Sequence, residues 1–289
     1  MGELNLKTGK SFLSEGPSLD VEVFDGLRQK ITTASGIYVP SDEISRFVIE
    51  RRLRPRLRAR GALSFSDYIG SLDAEEMEQM LDAVAIHETY FFRERRQLRA
   101  FSEHILPQIE KRGRKIRILS AGCSTGEEAY TIGMLLAERG LFEADRAEVV
   151  ASDLSRRVIE IGKRGIYGDS SFRTTNSFYR KKYFASTEAN LWQASDSLRE
   201  AIQFEQLNLI DLDDRIEDVG GEDAGNYDVI FCRNVLMYFD SEAVKRTLNS
   251  FYSLLNDGGY ILLGHAESLL PLGTSFKPVQ FGREYVHRK

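Results

Sequence analysis

Residues Lys115–Leu136 read KIRILSAGCSTGEEAYTIGMLL, and the fold turns on how this stretch is parsed. Ile116, Ile118 and Leu119 suit a strand buried in a sheet that is covered on both faces. Glu127 to Leu136 favours a helix, with Glu127 and Glu128 in its first turn, where the helix dipole stabilises negative charge. Between strand and helix lies a loop with Gly122 and Gly126. Glycines there let the backbone approach a ligand at the carboxyl end of the strand, where open α/β sheets bind cofactors.

The loop also narrows the choice of ligand. A nucleoside-triphosphate loop needs Lys-Ser/Thr after its last glycine, and Gly126 is followed by Glu127. The dinucleotide pattern GxGxxG is absent, since the glycines stand four residues apart. Acids at the helix start would repel a pyrophosphate but suit a ligand that carries positive charge. S-adenosylmethionine (SAM), with a sulfonium and an ammonium group, is such a ligand. A tight strand-to-helix turn without a ligand is the plainer alternative.

Outward from this stretch, the chain has the composition of an ordinary soluble protein. Its 289 residues carry 42% hydrophobic and 29% charged side chains and a net charge of −5. No apolar run approaches membrane-spanning length, and the start MGELNLKTGK lacks a signal-peptide core, so a cytoplasmic protein is expected. Cys123 and Cys232 lack metal-ligand spacing and read as reduced thiols, with a redox pair as the alternative. No metal site is expected.

Residues 1–18 are polar and read as a flexible start. Residues 19–92 read as an all-helical domain. Val23, Phe24, Leu27 and Ile31 recur at helical spacing with a stop at Gly36, and Ser41 opens a second helix. Asp73 caps another, in which Met77, Met80, Leu81 and Val84 share one face. The second helix holds seven arginines (Arg46, Arg51, Arg52, Arg54, Arg56, Arg58 and Arg60), and Pro55 should kink or break it. Such a run is a solvated basic face or a dock for something acidic. The stretch lacks interleaved aromatics and the chain as a whole is acidic, so nucleic acid is disfavoured and an acidic protein surface preferred.

Residues 93–289 read as an α/β domain. Thr89-Tyr90-Phe91-Phe92-Arg93-Glu94 marks the handover, followed by a helix from Arg95 to about Ile109. Ala147–Ser152 forms a second strand tipped by Asp153, a position that commonly holds ribose hydroxyls. Ser155–Gly165 reads as helix. The stretch from 167 to about 200 breaks the pattern and reads as a small inserted subdomain with short strands at Tyr183-Phe184 and Leu191-Trp192. Strands follow at Ile202–Leu209, Tyr227–Cys232, Tyr260–Gly264 and Phe281–His287. A helix from Val244 to Leu255 should stop at Gly258-Gly259. Strands alternating with helices imply a mainly parallel, doubly wound, Rossmann-like sheet.

Taken together, SAGCSTGEEAYT, ASDLS, Asn208-Leu209, FCRNVLMYF, the late GHAESL and an arginine-rich helix before TYFFRE resemble the CheR chemotaxis receptor methyltransferases. The resemblance runs from about Val21 to the end. It implies a SAM-dependent enzyme that methylates glutamate side chains on the cytoplasmic helices of chemoreceptors, leaving glutamate methyl esters and S-adenosylhomocysteine. It also implies an N-terminal helical domain and a methyltransferase domain with an inserted β-subdomain, which fits the 167–200 stretch.

Carried over position by position, the resemblance places His87, Thr89 and Arg93 at the cofactor, with His87 where the family has Asn. It places Gly122 in the cofactor loop and Glu127 or Glu128 at the methionine amine. Asp153 falls at the ribose, and Asn208 with Leu209 and Asn234 with Val235 on the adenine side. Arg93 and Tyr238 stand near the transferable methyl group. Arg51, Arg54 and Arg58 are expected to form the face that docks the receptor's glutamates. Some members hold a receptor tail pentapeptide through a glycine-rich loop, yet no glycine lies between Tyr183 and Leu198, so direct docking by a monomer is expected. Two rival readings are a non-catalytic SAM-binding regulator, suggested by His87, and a methyltransferase for RNA or a small molecule.

Overall fold

The computed structural model describes residues 16–212, 227–267, 269 and 273–289. Most of the flexible start expected over residues 1–18 lies outside them. The chain divides into two compact units, residues 1–30 with 39–84 and residues 31–38 with 85–289. The division falls at Val84/Ala85 rather than after Phe92, because Phe91 and Phe92 are buried in the core of the second unit.

The first unit is helical: the opening of α1 (Val21–Ser35), then α2 (Glu43–Arg60), α3 (Phe65–Gly70) and α4 (Ala74–Val84). Asp42, rather than Ser41, caps α2, accepting from the Ser45 N–H at 2.9 Å. Helix α2 runs through Pro55 without a break. Arg51, whose carbonyl Pro55 cannot serve, is exposed like Pro55, so the lost hydrogen bond falls on the solvent side of the helix. Ile49, Leu53 and Leu57 form the buried stripe of α2.

Five of the seven arginines turn inward or along the helix. Arg46 donates to the Leu19 carbonyl, Arg52 to the Val84 carbonyl, and Arg60 to Asp73. Arg56 donates to both oxygens of Glu76, whose side chain is 2% exposed and also receives the Tyr68 hydroxyl at 2.6 Å. Arg54 is held by Glu50 at 2.6 Å with its side chain 18% exposed, so it leaves the docking face assigned to it. Arg51 and Arg58, seven residues apart and therefore on one side of the helix, are exposed and have no ion pair among the described residues.

The second unit is built on a seven-stranded sheet. Its strands are β1 (Ile116–Ala121), β2 (Ala147–Asp153), β6 (Ile202–Gln206), β7 (Tyr227–Cys232), β8 (Leu255–Leu263), β9 (Lys277–Phe281) and β10 (Glu284–Arg288). The order is β6-β2-β1-β7-β8-β10-β9, parallel except for the hairpin β9–β10. Alternation along the strands feeds two cores. Ile116, Ile118, Val149 and Phe231 face one side, while Leu119, Val150, Ile230 and Cys232 face the other. Both cysteines are buried as free thiols.

Helices α5 (Arg95–Ala100), α6 (Leu106–Glu110) and α7 (Glu127–Ala137) serve the first core, and α11 (Ser241–Leu254) the second. A π-helical turn at Phe101–Ile105 joins α5 to α6. The inserted subdomain is a three-stranded sheet of β3 (Ile166–Tyr167), β5 (Trp192–Ala194) and β4 (Phe184–Ser186), with helix α9 (Ser177–Tyr183). Helix α11 ends at Leu254, before the glycines, because Leu255 already starts β8. The expected last strand is two, folded back at Gly282. Among the described residues no helix is long and apolar enough to cross a membrane.

Candidate active site

The chain leaves β1 for β2 and β6 on one side, then returns to β7 on the other. The carboxyl ends of β1 and β7 therefore flank the switch point, where such sheets hold ligands. The loop after β1 is pressed onto the tip of β2: Gly122 and Cys123 N–H both donate to the Ser152 carbonyl, at 2.8 and 2.9 Å. Asp153 at that tip accepts the Ser124 N–H at 2.8 Å and the Ser155 N–H at 3.0 Å. Gly122 has φ +75°, and a Cβ there would run into Val235 Cγ2. The loops after β1 and β7 thus meet at this residue. Only glycine permits both the backbone shape and the approach.

The loop after β7 carries Arg233, Asn234, Val235 and Tyr238, and one carboxylate holds it. Glu267 accepts the N–H groups of Asn234 (2.9 Å), Val235 (2.9 Å), Met237 (3.1 Å) and Gly264 (2.6 Å). Opposite, the strip Ile37-Tyr38 pairs with the far end of the loop, Tyr38 N–H donating to the Tyr238 carbonyl at 2.7 Å. Asn208 Nδ2 donates to the carbonyl of Ala34 and to Asp211, each at 2.8 Å, and Leu209 beside it is buried. Leu207 N–H donates to the Asp153 carbonyl, which brings this pair to the tip of β2.

A buried cation links the pieces. Arg233, its side chain 2% exposed, donates to Glu128 at 2.7 Å and to the Arg93 carbonyl at 2.9 Å, and lies 3.7 Å from Glu94. Glu128 also accepts the Ser120 hydroxyl at 2.7 Å. Burial pushes the Glu94 carboxyl up, but the His265 hydrogen bond, the Arg233 charge and the Asn234 amide outweigh it and hold it below the usual range. Glu127 differs from its neighbour: it is enclosed, with hydroxyl donors from Thr125 (2.6 Å) and Ser171 (2.8 Å) and no ion pair among the described residues. Burial pushes its carboxyl up.

On the near side, the His87 carbonyl accepts the Ser124 hydroxyl at 3.1 Å, so the backbone of this residue reaches the glycine loop whatever its side chain. Arg93 is half-buried, donates to the Glu88 carbonyl at 2.8 Å, and lies 5.8 Å from the centre of the Tyr90 ring. Thr89, half-buried, stands between them. Four of the non-glycine residues with positive φ are Phe92, Glu94, Ser124 and Asn234, all at this site. Strained backbone gathers where surrounding structure must hold a fixed shape.

The contacts thus gather His87, Arg93, Gly122, Glu128, Asp153, Asn234 and Val235 around the two loops, with Asn208 and Leu209 at their edge. Arg51 and Arg58 belong to the first unit. Sequence reasoning assigned no role to Arg233, Glu94 or Glu267, although each lies within a block noted as distinctive. For Arg233 the signal was a charged residue directly after the apolar run of β7.

The donor set fits a cationic adenosyl ligand. Glu128, accepting from Ser120 and Arg233, and Asp153, accepting from the Ser124 and Ser155 N–H groups, put two carboxylates beside the loop. Asn234 Oδ1 is buried without a hydrogen-bond partner among the described residues, which leaves an acceptor for a ligand donor. Fold and site together define a Rossmann-like methyltransferase with SAM as cofactor. Residues 87–284 match the family "CheR methyltransferase, SAM binding domain" and residues 22–85 match "CheR methyltransferase, all-alpha domain". The chain belongs to the CheR methyltransferase family.

Among relatives, "Chemotaxis protein methyltransferase 2" of Vibrio cholerae is 34% identical over 88% of this chain and 88% of its own length. "Chemotaxis protein methyltransferase" of Borreliella burgdorferi is 31% identical over 78% and 82%. "Probable biofilm formation methyltransferase WspC" of Pseudomonas aeruginosa is 32% identical over 88% of this chain and 60% of its own.

Proposed function

We propose that this methyltransferase esterifies glutamate side chains on the cytoplasmic helices of chemoreceptors. The names of the Vibrio and Borreliella relatives support the chemotactic setting. The observation that carries the substrate reading is Arg93: one N–H is anchored on the Glu88 carbonyl, and its other donors are uncommitted among the described residues. A guanidinium so placed, beside the cofactor loop, matches a carboxylate.

Bound SAM supplies an electrophilic methyl group on a sulfonium. The rest falls to the chain. Glutamate has an ordinary pKa of about 4.3, so at neutral pH the substrate is already a nucleophile and no general base is needed. Arg93 orients the carboxylate, and Tyr238, whose loop is fixed by Glu267 and Tyr38, donates a hydrogen bond. Positioning of this kind contributes roughly 7–11 kcal/mol at the well-aligned limit. Asp153 holds the ribose hydroxyls, and Asn208, Leu209, Asn234 and Val235 border the adenine. Of the two adjacent acids, Glu128 meets the methionine amine, since it lies toward the β1/β7 crevice while Glu127 is closed beneath Ser171. Thr89 and the His87 backbone complete the near wall.

Docking takes place directly on the receptor helices, without a tail tether, by a monomer in the cytoplasm. The segment between β4 and β5, Thr187–Leu191, contains no glycine. Arg51 and Arg58 offer α2's exposed positive face to receptor glutamates.

The test is incubation with labelled SAM and a receptor cytoplasmic fragment, read by mass spectrometry for base-labile methyl esters on glutamate. Cofactor binding without incorporation would favour a SAM-binding regulator, and incorporation into RNA alone would favour the other rival. In the rate-versus-pH profile, Tyr238→Phe should lower the rate while leaving the shape unchanged. Loss of a basic limb on mutation would make Tyr238 the base and contradict the mechanism.

A further inference from the structure

A groove of about 670 Å³ opens in the second unit beside the active-site loops, walled by Tyr90, Phe92, Arg95, Arg96, Arg173 and His265. Glu94 also lines it. Through Glu94 the groove touches the site, because that carboxylate accepts from Asn234 Nδ2 at 3.3 Å and contacts His265 Nδ1 at 2.8 Å. Arg93 immediately precedes this wall in sequence.

The charges in the groove are unbalanced. Arg95 and Arg96 are exposed and have no ion pair among the described residues. They occupy the first turn of α5, which continues through the π-turn and α6 to Glu110. Cations at that end oppose the helix dipole, at a cost of about 0.3–1 kcal/mol each. Helix stability therefore does not explain them. On the other wall Arg173 lies flat over the Tyr90 ring, 3.7 Å from its centre, and is braced by Glu88 at 3.2 Å. Of the lining acids, Glu94 is engaged by His265, Asn234 and Arg233, and Arg173 is paired with Glu88, which leaves Glu284 against the two unpaired arginines, Arg95 and Arg96.

We propose that this groove docks the acidic flank of the protein substrate, the glutamates that neighbour the one being methylated, with Arg95 and Arg96 selecting for them. The proposal rests on the glutamate-methylating function and adds a second recognition element, within the catalytic unit. The size suits a stretch of polypeptide rather than one carboxylate. Aromatic walls beside arginines suit the mixed apolar and acidic edge of an amphipathic helix.

The experiment uses the full chain and a labelled helical peptide with glutamates at three- and four-residue spacing around a central glutamate. Peptide binding is read by fluorescence anisotropy, SAM binding by calorimetry, and methyl transfer separately. Arg95→Glu/Arg96→Glu should weaken peptide binding about tenfold or more, with SAM affinity unchanged and the melting temperature no lower than that of wild type, since acids suit the first turn of α5. Arg95→Gln/Arg96→Gln should lie between. A peptide whose flanking glutamates are lysines should bind the reversed variant better than it binds wild type.

Unchanged peptide affinity in the reversed variant, or no binding to folded wild type, would overturn the proposal. So would RNA outcompeting the peptide at the arginines. Arginine-dependent peptide binding without any methyl ester would sustain the groove and sink the glutamate-methylation reading instead.

Discussion

Two sets of arginines in this chain look alike in sequence and differ in what they do. Helix α2 holds seven, yet five are engaged by neighbouring acids and backbone carbonyls within the first unit. The stretch Arg93–Arg96 holds three, none with an acid partner among the described residues. The number of cations in a segment therefore says little about the charge it presents. What decides is whether acids elsewhere in the fold reach them.

The sharpest way to break that comparison is to remove an acid from the first set. Glu76 is buried with Arg56 and Tyr68 upon it, and its backbone N–H is capped by Asp73 at 2.7 Å. Glu76→Ala leaves the partly buried Arg56 uncompensated and should destabilise the protein by about 3–5 kcal/mol, measured by denaturant unfolding. Burial pushes the Glu76 carboxyl up, but hydrogen bonds from Arg56 and Tyr68 and the charges of Arg56 and Arg60 bring it below its ordinary value. A depressed carboxyl stabilises above its unfolded pKa and loses that contribution as pH falls through the folded one. Wild type should thus lose stability in acid where Glu76→Gln has a flatter profile.

Next in size is Glu267, a carboxylate whose partners are backbone rather than arginine. Glu267→Ala strips the acceptor from four N–H groups around the β7 loop and should weaken SAM binding by about 2–4 kcal/mol. Glu267→Gln, which keeps one acceptor oxygen, should recover part of the affinity. A loss of melting temperature with intact SAM affinity would make the clamp structural only.

The adjacent pair Glu127 and Glu128 sharpens the same contrast at single-residue scale. Glu128→Gln should weaken SAM about tenfold by calorimetry, a charge-assisted bond's worth. Glu127→Gln should leave SAM affinity within about twofold, a few tenths of a kcal/mol. Because burial raises the Glu127 carboxyl, the fold favours its protonated form, and stability falls as pH rises from its ordinary value through the raised one. Glutamine at that position removes this decline.

Much of this was open to reading before any coordinates. Strands β1, β2 and β7 declared themselves through apolar runs, and the glycine loop declared itself as a place of close backbone approach, which Gly122 against Val235 is. Where sequence reasoning missed, the cause was a partner far along the chain. Pro55 was expected to disrupt α2, but its lost hydrogen bond falls on the wet side of the helix. Arg54 was placed on the docking face, and Glu50 one turn earlier draws it down. Glu267 serves N–H groups about thirty residues before it, a relation with no spacing rule. The glycines at 258 and 259 were taken as a helix stop, whereas burial of Leu255 beneath α11 had already turned the chain into strand.

The smallest expected effect concerns the two α2 arginines that remain outward. Arg51→Glu/Arg58→Glu changes two exposed side chains without ion pairs, so unfolding stability should fall by about 1 kcal/mol at most, chiefly because Arg58 stands in the last turn of α2, where the dipole favours a cation. If these residues steer receptor glutamates, the reversal should slow methylation of a receptor fragment at low ionic strength. The difference should fade as salt shortens the Debye length to about 8 Å and below. The methyl-transfer rate at saturating substrate should stay constant, because neither residue belongs to the SAM site. A slowing that persists at high salt would mean contact rather than steering, and no slowing at any salt would leave substrate recognition to the groove arginines alone.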